Sequence, residues 1–371
     1  MGKQGRSRPQ LFHPLCGADT LTLLRVLGRH GLPLKHAPEL LIALLVSVLR
    51  APSSLIEHLV TQVERPRLGV GQAPVFILGH WRSGTTHLYN VMSKAQDFGF
   101  VSPFATALPW DFLVIGRLFE PLLKKALPEH RFIDNIPVEP DSPQEDEIGL
   151  ANMTPLSFYH GLYFPRRLEE TFNAGVFFEG CTQSEIESWQ RVLRYYFDKL
   201  SIGQGGRRLL IKNPVYTARV GLLSAMWPDA KFIHIHRNPY KVFVSMRNFY
   251  AQLFGEFALQ SYAHVDVDNF ILSTYRKMMD AFTNESAGLA PDRLVELSFE
   301  DFQKAPMAEL KRIYGKLNLS GFTGAEPRFA HYLDSVREYR KNTYSFPAEA
   351  KERVSRHWRP YIERWSYSPP A

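Results

Sequence analysis

Three stretches of this 371-residue chain carry side chains suited to an anion. Residues 74–90 read PVFILGHWRSGTTHLYN, which runs from an apolar strand pattern, Val75-Phe76-Ile77-Leu78, through Gly79 and Gly84 to Thr85-Thr86 and a helical pattern. Strand, glycine-bearing loop and helix start is an order that holds phosphate. The first N–H groups of a helix have no intrahelical partner and carry partial positive charge. The spacing from Gly79 to Gly84 imitates a P-loop, yet Thr85 stands where the phosphate-reading lysine belongs, and Arg82 supplies a cation instead. The second stretch, Arg208-Leu209-Leu210-Ile211-Lys212, ends an apolar run on a lysine before Asn213-Pro214. The third, Lys231-Phe232-Ile233-His234-Ile235, leads into His236-Arg237-Asn238-Pro239, with Ser245 eight residues beyond Arg237.

Short apolar strands alternating with helical segments predict an α/β fold, a central parallel sheet flanked by helices, with ligands beyond the carboxyl ends of the strands. A fourth strand is expected over residues 294–297, with Ser298 opening a helix that continues through Leu317. Helices are expected at residues 85–95, 184–200 and 218–227. Ser142-Pro143-Gln144-Glu145 has the form of a helix start and opens the acidic cluster Glu145-Asp146-Glu147. Residues 1–10 read as a disordered basic arm without a signal-peptide core, residues 11–70 as a helical N-terminal extension, and residues 71–371 as the main domain. Within the extension, Pro38 suits a first helical turn, and Pro52-Ser53-Ser54 predict the end of one helix and the cap of another. The apolar run at residues 40–49 is shorter than the about 20 residues that span a bilayer, and is expected to pack internally. Residues 98–142, rich in Pro, Phe and Trp, read as a binding region.

Composition removes several function classes. Of the net charge of +7, the first 50 residues supply seven Lys/Arg against two acids, so the body is almost neutral and lacks the basic stripe of a nucleic-acid binder. Two cysteines, Cys16 and Cys181, support neither a disulfide framework nor a cysteine metal site, and point to a reducing, cytoplasmic setting. The histidines are too dispersed for a metal-ligand pattern.

Taken together, Arg82-Ser83-Gly84-Thr85-Thr86, Lys212-Asn213-Pro214, Arg237-Asn238-Pro239 with Ser245, the Glu145-Asp146-Glu147 cluster and residues 296–302 resemble the sulfotransferases that use 3'-phosphoadenylyl sulfate, in their bacterial-type branch. The resemblance implies a P-loop-like three-layer fold and no metal. It implies that Arg82, Ser83, Gly84, Thr85 and Thr86 hold the 5'-phosphosulfate of the donor, while Arg237 and Ser245 hold the 3'-phosphate. Arg82 and Lys212 would meet the charge that develops on transfer to an acceptor hydroxyl. Many relatives carry a histidine four residues beyond the strand-end lysine, where this chain has Tyr216. The general base is therefore expected at Glu147, with Glu145 second. The implied acceptor is a small hydroxyl compound, apolar or lipid-like; membrane contact is not predicted, and the oligomeric state is left open. A P-loop kinase or nucleotide hydrolase, and a non-catalytic nucleotide-binding module, are the competing readings.

Overall fold

The computed structural model describes residues 13–116, 142–337 and 345–370, which form two compact units. One comprises the described residues within Met1–Gln72, Phe100–Arg207 and Ala251–Val265; the other comprises those within Ala73–Gly99, Arg208–Tyr250 and Asp266–Ala371. The expected basic arm at residues 1–10 and most of the Pro/Phe/Trp-rich stretch lie outside the described residues.

The second unit holds the sheet. Its strands are β1 (Val75–Leu78), β2 (Phe98–Gly99), β3 (Arg208–Lys212), β4 (Lys231–His236) and β5 (Leu294–Ser298), in the order β2-β3-β1-β4-β5, and every pairing is parallel. All four residues of β1 are buried, as expected of the middle strand of a sheet covered on both faces. Ile77 lies beside Lys212, Leu78 beside His234, and His236 beside Ser298, so the carboxyl ends of four strands open on one edge. Phe76 stacks on Phe232 at 5.6 Å and meets the edge of Tyr216 at 5.6 Å. Tyr216 is thus a fully buried core residue under β1.

Local differences from the sequence expectations have identifiable causes. The helix expected at residues 218–227 is present as Val220–Met226, and a 3-10 helix, Pro214–Ala218, capped by the Asn213 side chain, precedes it. The helix expected from Ser298 to Leu317 is two helices, Phe299–Lys304 and Pro306–Lys316, because a proline cannot donate to the preceding turn but fits a first helical position.

In the first unit, α1 (Thr20–His30) is N-capped by Asp19, whose carboxylate accepts from the Thr22 N–H at 3.2 Å. The next helix, α2 (Ala37–Arg67), is continuous over 31 residues, with Pro52 inside it. The predicted break at Pro52-Ser53-Ser54 is absent. Instead of capping a new helix, Ser53 donates back to the Arg50 carbonyl at 2.8 Å, and both serine hydroxyls bond Asp111, which also takes Arg50 Nε at 2.6 Å. A buried carboxylate has claimed the residues that looked like a helix start. The apolar run expected to pack internally is divided: Leu40 and Ala43 are buried, whereas Leu41, Leu45, Val48 and Leu49 stand in solvent. The continuous stretch Leu34–Arg67 is long and apolar enough, by length and composition, to cross a membrane.

Candidate active site

β1 delivers the chain into the loop 79–84, and the loop turns back because two glycines allow it. Gly79 has φ 142° and sits so close to the sheet that a Cβ there would lie 2.3 Å from the Ile235 carbonyl; its N–H donates to Thr217 Oγ1 at 2.8 Å. Gly84, at φ 97°, precedes α3 (Thr85–Met92), and a Cβ on it would come within 2.1 Å of the Phe299 ring. Between them Arg82 adopts φ 69°, a left-handed conformation uncommon for a side chain of this size. Both of its ends are fixed: its carbonyl accepts from Arg237 Nη1 at 3.1 Å, and its Nε donates to Ser245 Oγ at 2.8 Å. Backbone strain of this kind persists only where surrounding contacts over-determine it.

The other candidates of this unit converge on the same sheet edge. Lys212, at the end of β3, is buried and directs Nζ to Thr86 Oγ1 at 3.4 Å. Arg237 follows β4 and lies over the Phe299 ring, its guanidinium carbon 4.8 Å from the centroid, so Phe299 supports both Arg237 and Gly84. Ser245 is buried on α4 (Pro239–Phe257), the helix that begins two residues after Arg237. Ser83 is held by its hydroxyl donating to the His80 carbonyl at 2.7 Å. Burial pushes the His80 imidazole down to about 4, so it is neutral at pH 7; its ring lies 4.8 Å from Tyr275. Arg82, Ser83, Gly84, Thr85, Thr86, Lys212, Arg237 and Ser245 thus form one connected group of three cations, four hydroxyls and the N-terminus of α3. A guanidinium presents a planar fork of donors and an ammonium a compact charge, which together suit a phosphate and a sulfonate held in series.

Glu145 and Glu147 belong to the first unit. The helix start expected at residues 142–145 is displaced: Gln144 N–H donates to the Val101 carbonyl at 2.8 Å, outside any helix, and the helix begins at Glu147. Glu147 opens α5 (Glu147–Ala151), is buried, and accepts from Ser157 Oγ at 2.7 Å. The phenol of Tyr163 is raised well above its ordinary value, by burial first and by the Glu147 charge second. Glu145 is half-buried outside the helix, so the two acids have different surroundings.

Several contributors gave no sequence signal. Thr217 is a single hydroxyl in a 3-10 helix, and Ser157 a single hydroxyl in an irregular segment. The C-terminal residues fold back over the end of β4: Trp365 stacks on His236 at 4.4 Å, Tyr367 Oη lies 2.9 Å from His236 Nδ1, and Asn238 Nδ2 donates to the Ser368 carbonyl at 2.9 Å. Tyr367 also donates to Glu300 at 3.0 Å. Only the aromatic content of the C-terminal segment hinted at this packing. Among the described residues no group of three or more His, Cys, Asp or Glu side chains is placed to hold a metal.

A parallel sheet whose middle strand runs through a glycine loop into a helix places the chain among P-loop-like α/β proteins. The profile of the Sulfotransferase family matches residues 74–324, and the chain belongs to that family. It is an enzyme that transfers sulfuryl groups. A relative described as omega-hydroxy-beta-dihydromenaquinone-9 sulfotransferase Stf3, from Mycobacterium bovis and in the same form from Mycobacterium tuberculosis, is 29% identical over 298 residues, which are 80% of this chain and 76% of the relative. The fold is shared with the crystal structure of sulfotransferase STF9 from Mycobacterium avium, at TM-score 0.68 and 16% identity over 95% of this chain and 97% of that one. It is also shared with sulfotransferase STF1 from Mycobacterium tuberculosis, at TM-score 0.63 and 17% identity over 91% and 90%.

Proposed function

We propose that the chain uses 3'-phosphoadenylyl sulfate as donor and sulfates a hydroxyl on an apolar, lipid-like acceptor. The observation that carries the donor is the Arg237–Arg82–Ser245 linkage, in which Arg82 joins the glycine loop to the residues beyond β4 through one 3.1 Å and one 2.8 Å hydrogen bond. Such an arrangement suits a ligand with two separate phosphate positions. Arg237 and Ser245 are assigned the 3'-phosphate. Arg82, Ser83, Gly84, Thr85 and Thr86 are assigned the 5'-phosphosulfate. The donor, when bound, supplies an activated sulfuryl group. Lys212, which is buried, and Arg82, which is half-buried, counter the negative charge that collects on the leaving side, where partial exclusion of water strengthens such charges. No metal is required where cations and backbone N–H groups supply that field.

Glu147 is assigned the proton from the acceptor hydroxyl, because it is a buried carboxylate whose orientation is set by a hydrogen bond from Ser157. Glu145, half-buried and outside the helix, is the weaker candidate for this role. The acceptor class rests on the relative named for a hydroxylated dihydromenaquinone. We assign the chain a cytoplasmic setting, which its low cysteine content supports. Transfer from labelled donor would be compared between a hydroxylated isoprenoid quinone, a phenol and a sugar. Preference for the quinone is expected. Transfer to the phenol or sugar alone would reject the lipid-like class, and failure of calorimetry to detect adenosine 3',5'-bisphosphate binding would reject the donor.

A further inference from the structure

Among the described residues, every large hydrophobic side chain that stands well exposed lies between Leu21 and Leu68. On α2 these are Leu41, Leu45, Val48, Leu49, Leu55, Ile56, Leu59 and Val63, from 51% exposed at Ile56 to 70% at Leu49. Their spacing of three and four residues makes one stripe along the helix. Leu21 and Leu24 of α1 and Leu32 and Leu34 of the connection between the two helices extend the apolar surface.

The opposite face of α2 is turned inward and, beyond Leu40 and Ala43, is polar. Ser47, Glu57 and Thr61 are buried, and Arg50 is nearly so. Arg50 is ion-paired with Asp111, and Glu57 lies 2.5 Å from Lys199 Nζ while accepting from the N–H groups of Leu113 and Val114. The helix is therefore inverted relative to an ordinary surface helix, which buries its leucines and exposes its charges. Burying charges while leaving about 33 Å of apolar stripe, from Leu41 to Val63, in water is unfavourable on both sides unless something apolar covers the stripe.

We propose that this α1–α2 face docks on an anionic lipid bilayer, with α2 lying in the plane of the headgroup boundary. The two inward ion pairs tie α2 along its length to its own unit, so lipid cannot surround it as it would a spanning helix; an interfacial helix needs one apolar face only. Charge supplies the choice of occupant. Between Lys35 and Arg65 no fully exposed residue of the helix is a Lys, Arg, Asp or Glu, while Lys35 stands at one end and Arg65 and Arg67 at the other. Residues 20–68 carry six Lys/Arg against three Glu. Arg65 pairs with Asp198 and Arg67 with Glu64, and both remain more than half exposed. Long basic side chains can keep their charge at the phosphate level while the apolar stripe is immersed. Pairing with a second copy would set one basic end against another, in either direction of approach. The proposal does not depend on the acceptor class.

The test uses the full chain and sucrose-loaded vesicles of phosphatidylcholine with and without phosphatidylglycerol. Co-sedimentation is expected with the anionic vesicles and is expected to weaken with salt. The triple variant Leu45→Gln/Leu49→Gln/Leu59→Gln changes exposed positions only, and should lose more than about tenfold in partitioning. Its melting temperature and its binding of adenosine 3',5'-bisphosphate should match the parent, which separates loss of docking from loss of the donor site. A single Leu49→Trp variant gives a second readout, a blue shift of fluorescence when vesicles are added. Wild-type partitioning no better than that of the triple variant, or no blue shift, overturns the proposal. So does a lipid-free dimer that the triple variant reduces to monomer without any vesicle binding, which would assign the face to a second copy.

Discussion

Arg82 illustrates how much a single residue does in this fold. Its backbone is left-handed, its carbonyl accepts from Arg237, 155 residues away in the chain, and its guanidinium meets Ser245, so it connects the segments that follow two strands. Arg237→Ala removes one of those connections and the cation over Phe299 together. The expected result is more than about tenfold weaker binding of adenosine 3',5'-bisphosphate by calorimetry, since charge-assisted hydrogen bonds contribute about 1.5–3 kcal/mol each. Unchanged affinity would remove Arg237 from the donor site. Glu147→Gln keeps the shape and a hydrogen-bonding partner for Ser157 but cannot take a proton. Donor affinity should be retained while kcat falls by about 100-fold or more, the usual scale of general-base loss; transfer at the parental rate would exclude Glu147 as the base. Residues of this kind were partly legible in sequence, because a cation, glycines and hydroxyls at fixed offsets carry their chemistry with them. Ser157 and Thr217 were not, since a lone serine or threonine acquires meaning only from the partner it reaches.

Among the elements, the loop between β1 and α3 was readable, whereas α2 was readable as helical from Pro38 onward but not as one continuous helix. Glycines at positions 79 and 84 mark a backbone that must turn tightly and pack closely, and both have positive φ. Gly84→Ala would place a methyl group into the Phe299 ring at a φ that disfavours it, and should cost about 2 kcal/mol or more in a denaturant melt. Adding Phe299→Ala should restore the part of that loss which is steric. No relief in the double variant would assign the cost to backbone conformation alone. The continuity of α2 depended on Asp111, 59 residues beyond Pro52, which engages Arg50, Ser53 and Ser54. Local helix-start chemistry could not anticipate a distant buried carboxylate.

For the whole molecule, buried neutral histidines set the response to acid. Burial lowers His80 and His160 from 6.5 to about 4, and lowers His30 and His236 to about 3; in His30 the neighbouring His160, Arg29 and Arg167 act in the same direction. Below pH 6.5 the unfolded chain takes up protons that the folded chain refuses, so stability falls as pH falls through this window toward 4. Melting temperature should therefore decline steadily between pH 7 and 4.5, before most carboxylates begin to protonate. A flat profile over that interval would contradict the buried, neutral state of these rings. Glu296 adds a later loss. Burial would raise it, but His234 and Arg364 outweigh that and hold it at about 2, so its contribution disappears as pH falls from 4.5 toward 2.

The sequence by itself determined the alternation of strands and helices, the parallel sheet and the cationic and hydroxyl residues at its strand ends, because these follow from periodicity and from chemistry confined to a few neighbours. Tertiary structure alone decided which way α2 faces, that the C-terminal aromatics cover His236, and that Tyr216 is core. Each of these depends on partners far away in the chain. Whether an apolar residue is buried or left in solvent is settled by what the rest of the fold brings against it, and local pattern carries no record of that.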